Sequence, residues 1–318
     1  MSKTKPEKIS TRAAYGQEIL CLAEQYPNFV VLDGDISRSM YTVELAKKYP
    51  NQHLNVGIAE QNQMATAAGL ALGGYLPIVS SYAVFASMRA LEQVRTSICY
   101  PKLNVKIVAS HGGVTPGNDG PTHQGIEDLG LMRTLPNMTV IMPADGYSVQ
   151  DLLQQACQID GPVYFRLTRD PVPYIYDHQD MCQIGKANVV AEGVDVTIIA
   201  IGDMLQWALQ AREQLIKDGI SVRILDMHTL KPLDQQAVIQ AARDTGAIVT
   251  VEDHTIINGL GSAVAEVLVE NCLVPMKRIG LQDTFAESGP YERLLEKYGM
   301  STSHICQAVR DVLSRKNS

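Results

Sequence analysis

Apolar residues recur along this chain with two alternating spacings, that of an α-helix and that of a short buried strand. The first helix is predicted at Arg12–Tyr26, and the apolar run Phe29–Leu32 that follows predicts a strand. Ser10 or Thr11 can cap the helix, because a side-chain oxygen there can accept a hydrogen bond from a free amide of the first turn. Helix, strand and then glycine turn are typical of an α/β fold.

The same alternation continues through the rest of the chain and predicts the remaining elements. In the first half, helices are predicted at Tyr41–Lys48, Ala59–Leu72, Ser87–Ile98 and Tyr147–Gln158, and strands at His53–Asn55, Pro77–Ser80, Val105–Ala109, Thr139–Met142 and Val163–Leu167. In the second half, helices are predicted at Leu205–Lys217, Asp234–Arg243, Ser262–Asn271 and Gln307–Arg315, and strands at Val196–Ile201, Ser221–Asp226, Ala247–Glu252 and Met276–Leu281. Strands that alternate with helices favour a mostly parallel sheet in each half, and hence an α/β protein of two doubly wound domains.

The division into domains follows from the length and from a change of composition. A chain of 318 residues is long for a single domain. After Pro171 and Pro173 comes the polar run Asp177–Asp180, which is typical of a linker. We therefore predict a flexible N-terminal tail at residues 1–8, a first domain at 9–175, a linker at 176–190 and a second domain at 191–318.

Charge and composition exclude several classes of protein. The net charge of -7 is spread along the chain, and no dense block of lysine or arginine suggests a nucleic-acid surface. No apolar run approaches the roughly 18 residues of a membrane helix, and the polar start of the chain lacks the apolar core of a signal peptide. The six cysteines form no Cys-x-x-Cys pair, so no metal site is predicted. We expect a cytoplasmic protein.

The loop His111–His123 concentrates polar chemistry in thirteen residues. It holds both of these histidines and Asp119 among four glycines and two prolines. Such a composition forms a tight loop, and the strand predicted before it places the loop at the carboxyl end of a sheet, where open α/β folds bind ligands. The alternative is a surface turn with solvated histidines.

Three further features of the first half are candidates for function. Glu60 is the single charge at the start of a small, apolar helix, so it is either a helix N-terminal charge or a buried acid that can share a proton with a ligand. Tyr82 and Phe85 follow a strand and are either core residues or a stacking surface. Arg12 and Arg169 can each grip an anion, although a lone arginine is more often a solvated surface charge.

At these residues the sequence resembles a known family. The stretches Gly57–Asn62, Ser81–Phe85, His111–His123 and Leu167–Arg169 are similar, in this order, to the pyrimidine-binding and C-terminal domains of transketolase, a thiamine-diphosphate enzyme. The likeness runs from about residue 10 to the end and includes Val251–His254.

The branch within this superfamily is open to two interpretations. The segments Ala59–Gln61 and Thr122–Gly125 are also similar to 1-deoxyxylulose-5-phosphate synthase. The segment Cys99–Lys106 favours transketolase, since it is typical of its two-subunit forms.

The resemblance assigns a role in cofactor binding to four residues. Glu60 matches the glutamate that hydrogen-bonds N1' of the aminopyrimidine and promotes removal of the proton at C2 of the thiazolium. Phe85 matches the ring that stacks on the pyrimidine, with Tyr82 beside it. Asp35 matches an acid near the cofactor.

The resemblance also assigns substrate contacts. His123 would contact the hydroxyl of the transferred two-carbon unit, and Asp119 the neighbouring sugar hydroxyl. The terminal phosphate of the sugar would be held by residues from several loops, namely Arg12, Ser39, His111 and Arg169.

The resemblance further implies a second polypeptide. Family members bind the diphosphate and its Mg²⁺ in a separate domain, through a Gly-Asp-Gly motif followed by an asparagine. Neither Asp33–Asp35 nor Gly202–Asp203 matches that motif, and no such domain precedes Arg12. The chain is thus similar to the C-terminal half of a split transketolase, with the metal ligands on an N-terminal partner subunit and an α2β2 heterotetramer as the expected assembly.

The implied activity is reversible transfer of a two-carbon ketol unit from a ketose phosphate to an aldose phosphate. Two other enzymes are compatible with the motifs, a synthase of the 1-deoxyxylulose-5-phosphate type and the β subunit of a 2-oxo-acid dehydrogenase, both of which would consume pyruvate. An interpretation of another class is a non-catalytic partner protein that keeps only the fold. The joint presence of Glu60, Asp119, His123 and Arg169 argues against that interpretation. The sequence does not identify the donor sugar, nor whether the bound anion is a phosphate or a sulfonate.

Overall fold

Two mostly parallel β-sheets organise the chain in a computed structural model that describes residues 8–177 and 181–316. The strands of these residues are β1 (Lys8–Ser10), β2 (Phe29–Asp33), β3 (His53–Asn55), β4 (Leu76–Tyr82), β5 (Lys106–Ser110), β6 (Thr139–Ile141), β7 (Val163–Arg166), β8 (Pro171–Pro173), β9 (Asn188–Ala191), β10 (Val196–Ala200), β11 (Val222–Asp226), β12 (Thr229–Lys231), β13 (Ile248–Thr255) and β14 (Met276–Leu281). A sheet of seven strands has the order β12-β6-β7-β5-β4-β2-β3, and a sheet of five has the order β14-β13-β10-β11-β9.

Helices connect these strands. They are α1 (Thr11–Gln25), α2 (Ser37–Met40), α3 (Val43–Lys48), α4 (Glu60–Leu72), α5 (Leu91–Gln93), α6 (Asp128–Thr134), α7 (Gly146–Gln158), α8 (Met204–Lys217), α9 (Gln235–Thr245), α10 (Leu260–Asn271), α11 (Tyr291–Lys297) and α12 (Thr302–Lys316). Short 3₁₀ turns lie at Pro50–Gln52 and Gly117–Asp119, and π-helical turns at Phe85–Arg89 and Val94–Cys99. None of the helices among the described residues is both long enough and apolar enough to span a bilayer.

Both faces of each sheet are covered, as a doubly wound fold requires. Along β2, Phe29 and Val31 pack into one core cluster while Val30 and Leu32 pack into the other. Neighbouring side chains of a strand point to opposite faces, so this division shows that apolar layers lie on both sides. The α/β class with mostly parallel sheets is therefore confirmed.

Several elements were not predicted from the sequence. Strand β12 comes from the second half of the chain but pairs antiparallel with β6, at the edge of the first sheet. Strand β9 begins at Asn188, inside the predicted linker, and pairs antiparallel with β11. The α-helix predicted at Ser87–Ile98 is instead the short helix α5 between two π-helical turns.

The predicted ends and linker are only partly covered by the described residues. Residues 1–7 of the predicted tail and residues 178–180 of the predicted linker lie outside the described part of the chain. Lys8 begins β1, which pairs antiparallel with β8 in a small separate sheet, with Lys8 opposite Pro173. The domain boundaries themselves stay a prediction.

A buried carboxyl group fastens the segment between the two sheets. The hydroxyl of Tyr176 donates to Oδ2 of Asp226 at 2.6 Å, and the backbone amides of Ile175 and Tyr176 donate to Asp145. Burial raises the pKa of Asp226 to about 7, although the hydrogen bond from Tyr176 opposes that rise. Tyr176 thereby ties the end of the first half to strand β11.

This carboxyl group predicts a specific dependence of stability on pH. Because the pKa is raised in the folded state, Asp226 binds its proton more tightly there than in the unfolded chain, so its contribution to stability falls as pH rises from about 4 to 7. Asp226→Asn keeps an acceptor for Tyr176 but cannot ionise. We expect the variant to gain stability relative to the wild type between pH 5.5 and pH 8, by on the order of 1 kcal/mol or more.

Urea unfolding at both pH values and one protein concentration measures this difference. The exposed Asp283 supplies the control variant, Asp283→Asn, which should follow the wild type. An Asp226→Asn curve parallel to the wild type at both pH values would contradict the assignment.

Candidate active site

The candidate side chains converge because four parallel strands end at one edge of the first sheet. Strands β7, β5, β4 and β2 are neighbours, and Tyr82 pairs in register with Ser110. The carboxyl ends of parallel strands lie side by side, so the loops that follow them meet. This edge receives Arg169 after β7, the loop His111–His123 after β5 and Ser39 after β2.

His111 enters this edge in a left-handed backbone conformation, with φ of 61°. It is buried, and its Nδ1 lies 2.7 Å from the hydroxyl of Ser110. Burial, followed by the nearby charges of Arg12 and Arg169, lowers the pKa of His111 to about 3. His111 is thus a neutral hydrogen-bonding group at neutral pH and carries no positive charge of its own.

The start of this loop is fixed by a residue to which the sequence analysis assigned no role. Asp253, at the end region of β13, accepts the amide of Val114 with its two carboxylate oxygens at 2.9 and 3.1 Å. Gly113, with φ of 63°, leaves room for that carboxylate, since a Cβ atom there would lie 2.2 Å from it. Asp253, in the second half of the chain, therefore holds the start of the loop His111–His123.

A buried arginine supports the same junction. Nη2 of Arg166 donates to the carbonyl of Asp253 at 2.8 Å, and its Nε lies 3.2 Å from Oδ2 of Asp128. The hydroxyl of Tyr164 donates to the same oxygen of Asp128 at 2.7 Å. Burial and the neighbouring Asp203 raise the pKa of Asp253 to about 7, while Arg166 opposes that rise. The only trace of this network in the sequence is the presence of polar residues inside apolar runs.

A cationic cluster forms where the loops meet, with Arg12, Ser39 and Arg169 in direct contact. Nη1 of Arg12 donates to the carbonyl and to Oγ of Ser39 at 2.9 and 3.1 Å, and its Nε donates to the carbonyl of Arg169 at 3.1 Å. Arg169 lies 3.7 Å from Asp119 and also donates to the carbonyl of Pro116. Residues 157 positions apart in sequence, Arg12 and Arg169, thus form one cationic surface.

Tyr82 belongs to this cluster more than to the stacking surface. Its ring lies 4.0 Å from that of His111, centroid to centroid, but 6.0 Å from that of Phe85. Its hydroxyl donates to Oγ of Ser39 at 2.7 Å. Tyr82 also lies beside Phe85, with the two rings inclined by 29°, and its contact with a cofactor stays a prediction.

Phe85 lies near Tyr82 and His123, and Glu60 is linked to Phe85 through Arg89, which contacts both. The Phe85 ring meets the edge of the His123 ring at 5.4 Å, and the Tyr82 ring lies 6.1 Å from His123. Glu60 opens helix α4 and is only 5 % exposed. Arg89, which the sequence analysis overlooked, donates through Nη1 to both carboxylate oxygens of Glu60. The buried acid Glu60 and the accessible ring of Phe85 thus lie in the same region as the cationic cluster.

Asp35 is not brought into these contacts. It is exposed, and its side chain accepts a hydrogen bond from Asn55 at 3.3 Å. Its backbone adopts a left-handed conformation with φ of 66°, which suits a turn after β2. A role for Asp35 near a cofactor remains a prediction.

The residues present fit the aminopyrimidine half of thiamine diphosphate. A pyrimidine ring needs an aromatic face and a group that can hydrogen-bond a ring nitrogen, and Phe85 with the buried Glu60 supplies both. The adjacent cationic cluster suits the anionic end of a substrate, because guanidinium groups bind phosphate or sulfonate oxygens through charge-assisted hydrogen bonds.

Comparison with known families agrees with this geometry. Residues 7–173 match the transketolase pyrimidine-binding domain, and residues 185–305 match the transketolase C-terminal domain. The chain is 41% identical to a 6-deoxy-6-sulfo-D-fructose transketolase subunit of Clostridium sp. strain MSTE9, covering 99% of this chain and 98% of that protein. It is 36% identical to an apulose-4-phosphate transketolase subunit of Phocaeicola vulgatus, covering 96% of this chain and 98% of that protein.

A solved structure is similar over the same length. It is described as a split gene transketolase in an inactive β4 tetramer, shares 48% sequence identity with a TM-score of 0.91, and covers 97% of this chain and 99% of that one. The chain also resembles 1-deoxy-D-xylulose-5-phosphate synthases but spans about half of their length. With both domains matched and its relatives similar over nearly their full length, the chain belongs to the transketolase family as a C-terminal section that contains its pyrimidine-binding and C-terminal domains.

Proposed function

We propose that this chain is the C-terminal subunit of a thiamine-diphosphate-dependent transketolase that transfers a two-carbon ketol unit between sugars with an anionic terminus. The observation that carries the proposal is a buried carboxylate beside an aromatic ring, Glu60 and Phe85, placed next to the cationic cluster of Arg12 and Arg169. One region of the chain thus offers a site for a pyrimidine ring and a site for a substrate anion.

In this proposal the chain holds the pyrimidine end of the cofactor. Phe85 stacks on the ring, and Glu60 hydrogen-bonds a ring nitrogen and shares a proton with it. Thiamine diphosphate, when bound, supplies the carbon nucleophile and the electron sink of the reaction. Glu60 is buried, and Arg89 donates to both of its carboxylate oxygens, so the position of this acid is fixed.

The substrate contacts follow from the same arrangement. The anionic terminus of the sugar binds Arg12, Ser39, Arg169 and the neutral His111, which donates or accepts a hydrogen bond without adding charge. His123, whose ring lies 5.4 Å from that of Phe85 and 6.1 Å from that of Tyr82, would contact the hydroxyl of the transferred unit. Asp119, which lies 3.7 Å from Arg169, would bind a neighbouring hydroxyl and select its configuration.

We further propose that an N-terminal subunit holds the diphosphate and Mg²⁺. The support is that relatives over the same length are named as subunits or as products of a split gene. A diphosphate needs a cation and oxygen ligands to offset its charge. The related structure described as inactive is a tetramer of this type of chain alone, which fits an enzyme that needs both subunits, and we propose an α2β2 assembly.

The likeness to 1-deoxy-D-xylulose-5-phosphate synthases supports a second candidate activity, a ligase that decarboxylates pyruvate. The two activities differ in their donor, since only the synthase would consume pyruvate. One relative is named for a sulfosugar and another for a sugar phosphate, so the anion that the cluster would bind is either a sulfonate or a phosphate.

The proposal predicts that activity requires both subunits. The experiment is to mix this chain with its N-terminal partner subunit, thiamine diphosphate and Mg²⁺, and to assay a panel of ketose phosphates, ketose sulfonates and pyruvate before and after mixing. We expect ketol transfer only after mixing and no consumption of pyruvate. Turnover by the isolated chain would refute the split site, and pyruvate consumption would favour the synthase.

A second prediction concerns the cationic cluster of Arg12, Ser39 and Arg169. Arg169→Ala removes a guanidinium that contributes about 2 kcal/mol to binding of a charged group, so KM for a phosphorylated donor should rise about 30-fold. A donor without the anion should be used as well as by the wild type, since it does not depend on this charge. Steady-state kinetics with both donors measures the difference.

The exposed Arg95 provides the matched control, Arg95→Ala, which removes one positive charge outside the cluster. Equal losses for charged and uncharged donors in Arg169→Ala would show that Arg169 supports the loop and does not bind the anion.

A further inference from the structure

One strong contact near Glu60 has no role in the proposed reaction. Nη1 of Arg89 lies 2.9 and 2.8 Å from the two carboxylate oxygens of Glu60. The same guanidinium lies over the ring of Phe85, with its central carbon 4.2 Å from the ring centroid. Arg89 therefore touches both side chains that are proposed to bind the pyrimidine ring.

The pairing with Glu60 differs from an ordinary surface ion pair. Most surface pairs contribute little, because both charges are well solvated when apart. Here the Glu60 side chain is 6 % exposed while that of Arg89 is 48 % exposed. The carboxylate has little access to water, so a charge partner matters to it, whereas the guanidinium keeps contact with solvent.

The backbone brings Arg89 to this position. Phe85 and Arg89 are the first and last residues of a π-helical turn, which the amide of Ala90 closes by donating to the carbonyl of Phe85 at 3.2 Å. Residues four positions apart lie on one side of a helix, so the guanidinium reaches the Phe85 ring. Glu60 is 29 residues away in sequence and comes from helix α4.

We propose that Arg89 is a positioning residue that holds the acid and the stacking ring together as one preformed surface for the pyrimidine ring of thiamine diphosphate. The inference rests on the proposed function. Arg89 acts through Glu60 and Phe85: its charge orients the carboxylate and its planar face restrains the phenyl ring. A lysine would supply the charge but not the planar face.

The test measures cofactor binding, not turnover. In the reconstituted complex with Mg²⁺, titration calorimetry gives the Kd of thiamine diphosphate and, separately, of inorganic pyrophosphate. Pyrophosphate has no pyrimidine ring, so its binding reports only on the diphosphate site. Arg89→Ala should weaken thiamine diphosphate by about 10-fold or more and leave pyrophosphate unchanged.

Two further variants separate positioning from a general loss of structure. Arg89→Lys should recover part of the affinity for thiamine diphosphate, since it restores the charge beside Glu60. Arg95→Ala removes an exposed arginine from the next π-helical turn and should bind both ligands as the wild type does.

Three outcomes would overturn the inference. Unchanged affinity of Arg89→Ala for thiamine diphosphate would show that the contact has no role in binding. Tighter binding would show that the guanidinium competes with the ring for Glu60 and Phe85. Equal weakening of pyrophosphate would show a general effect on folding or assembly.

A different result of the same titrations would refute the proposed function. A wild-type complex that binds pyrophosphate but shows no additional affinity for thiamine diphosphate would refute the pyrimidine site, and with it any role of Arg89. A wild-type complex that binds thiamine diphosphate, with Arg89→Ala unchanged, refutes the positioning role alone.

Discussion

A fully buried guanidinium, that of Arg166, joins the two halves of this protein. It contacts Asp128 of the first half and the backbone of Asp253 in the second. A charge inside a protein costs several kcal/mol of desolvation unless it is paired and hydrogen-bonded, so the groups around it cannot move independently. Asp253 in turn accepts the amide of Val114, at the start of the loop that carries Asp119 and His123. The start of the loop that carries these two candidate residues thus depends on the second half of the chain.

The site itself has two parts with different electrostatics. Arg12 and Arg169 supply the positive charge of the cationic cluster, while burial and these two arginines lower the pKa of His111 to about 3, so that His111 adds no charge. The proposed pyrimidine side contains Glu60, which is buried and pairs with Arg89. The rings of Tyr82, Phe85 and His123 lie 5.4 to 6.1 Å from one another, centroid to centroid; Tyr82 contacts Ser39 of the cluster, and Phe85 contacts Arg89. The two parts therefore lie close together in one region of the chain.

Local patterns predicted the parts of the structure that local forces determine. The sequence placed Glu60 at the start of an apolar helix, and α4 begins at that residue. It also placed the loop His111–His123 after a buried strand, which is β5. The resemblance to transketolase then grouped residues that no spacing connects, such as Arg12 and Arg169.

Contacts between residues distant in sequence could not be predicted from local hydrophobic patterns. Strand β12 has three residues, too few to show a periodicity, and only its pairing with β6 makes it a strand. Asp253 and Arg89 resemble ordinary polar positions in a strand and a helix, because their partners are distant in sequence. The segment Ser87–Ile98 matched a helix period, but that period did not reveal the two π-helical turns, Phe85–Arg89 and Val94–Cys99, to which most of it belongs.

Proton sharing between Glu60 and the cofactor can be tested without substrate. In the reconstituted complex, hydrogen–deuterium exchange at C2 of bound thiamine diphosphate reports how readily that proton leaves. Glu60→Gln keeps a hydrogen-bonding group of similar size, and we expect its exchange at C2 to be slower by about 100-fold or more. The control Glu92→Gln changes an exposed acid on α5 and should exchange at the wild-type rate. Wild-type exchange in Glu60→Gln would contradict proton sharing by Glu60.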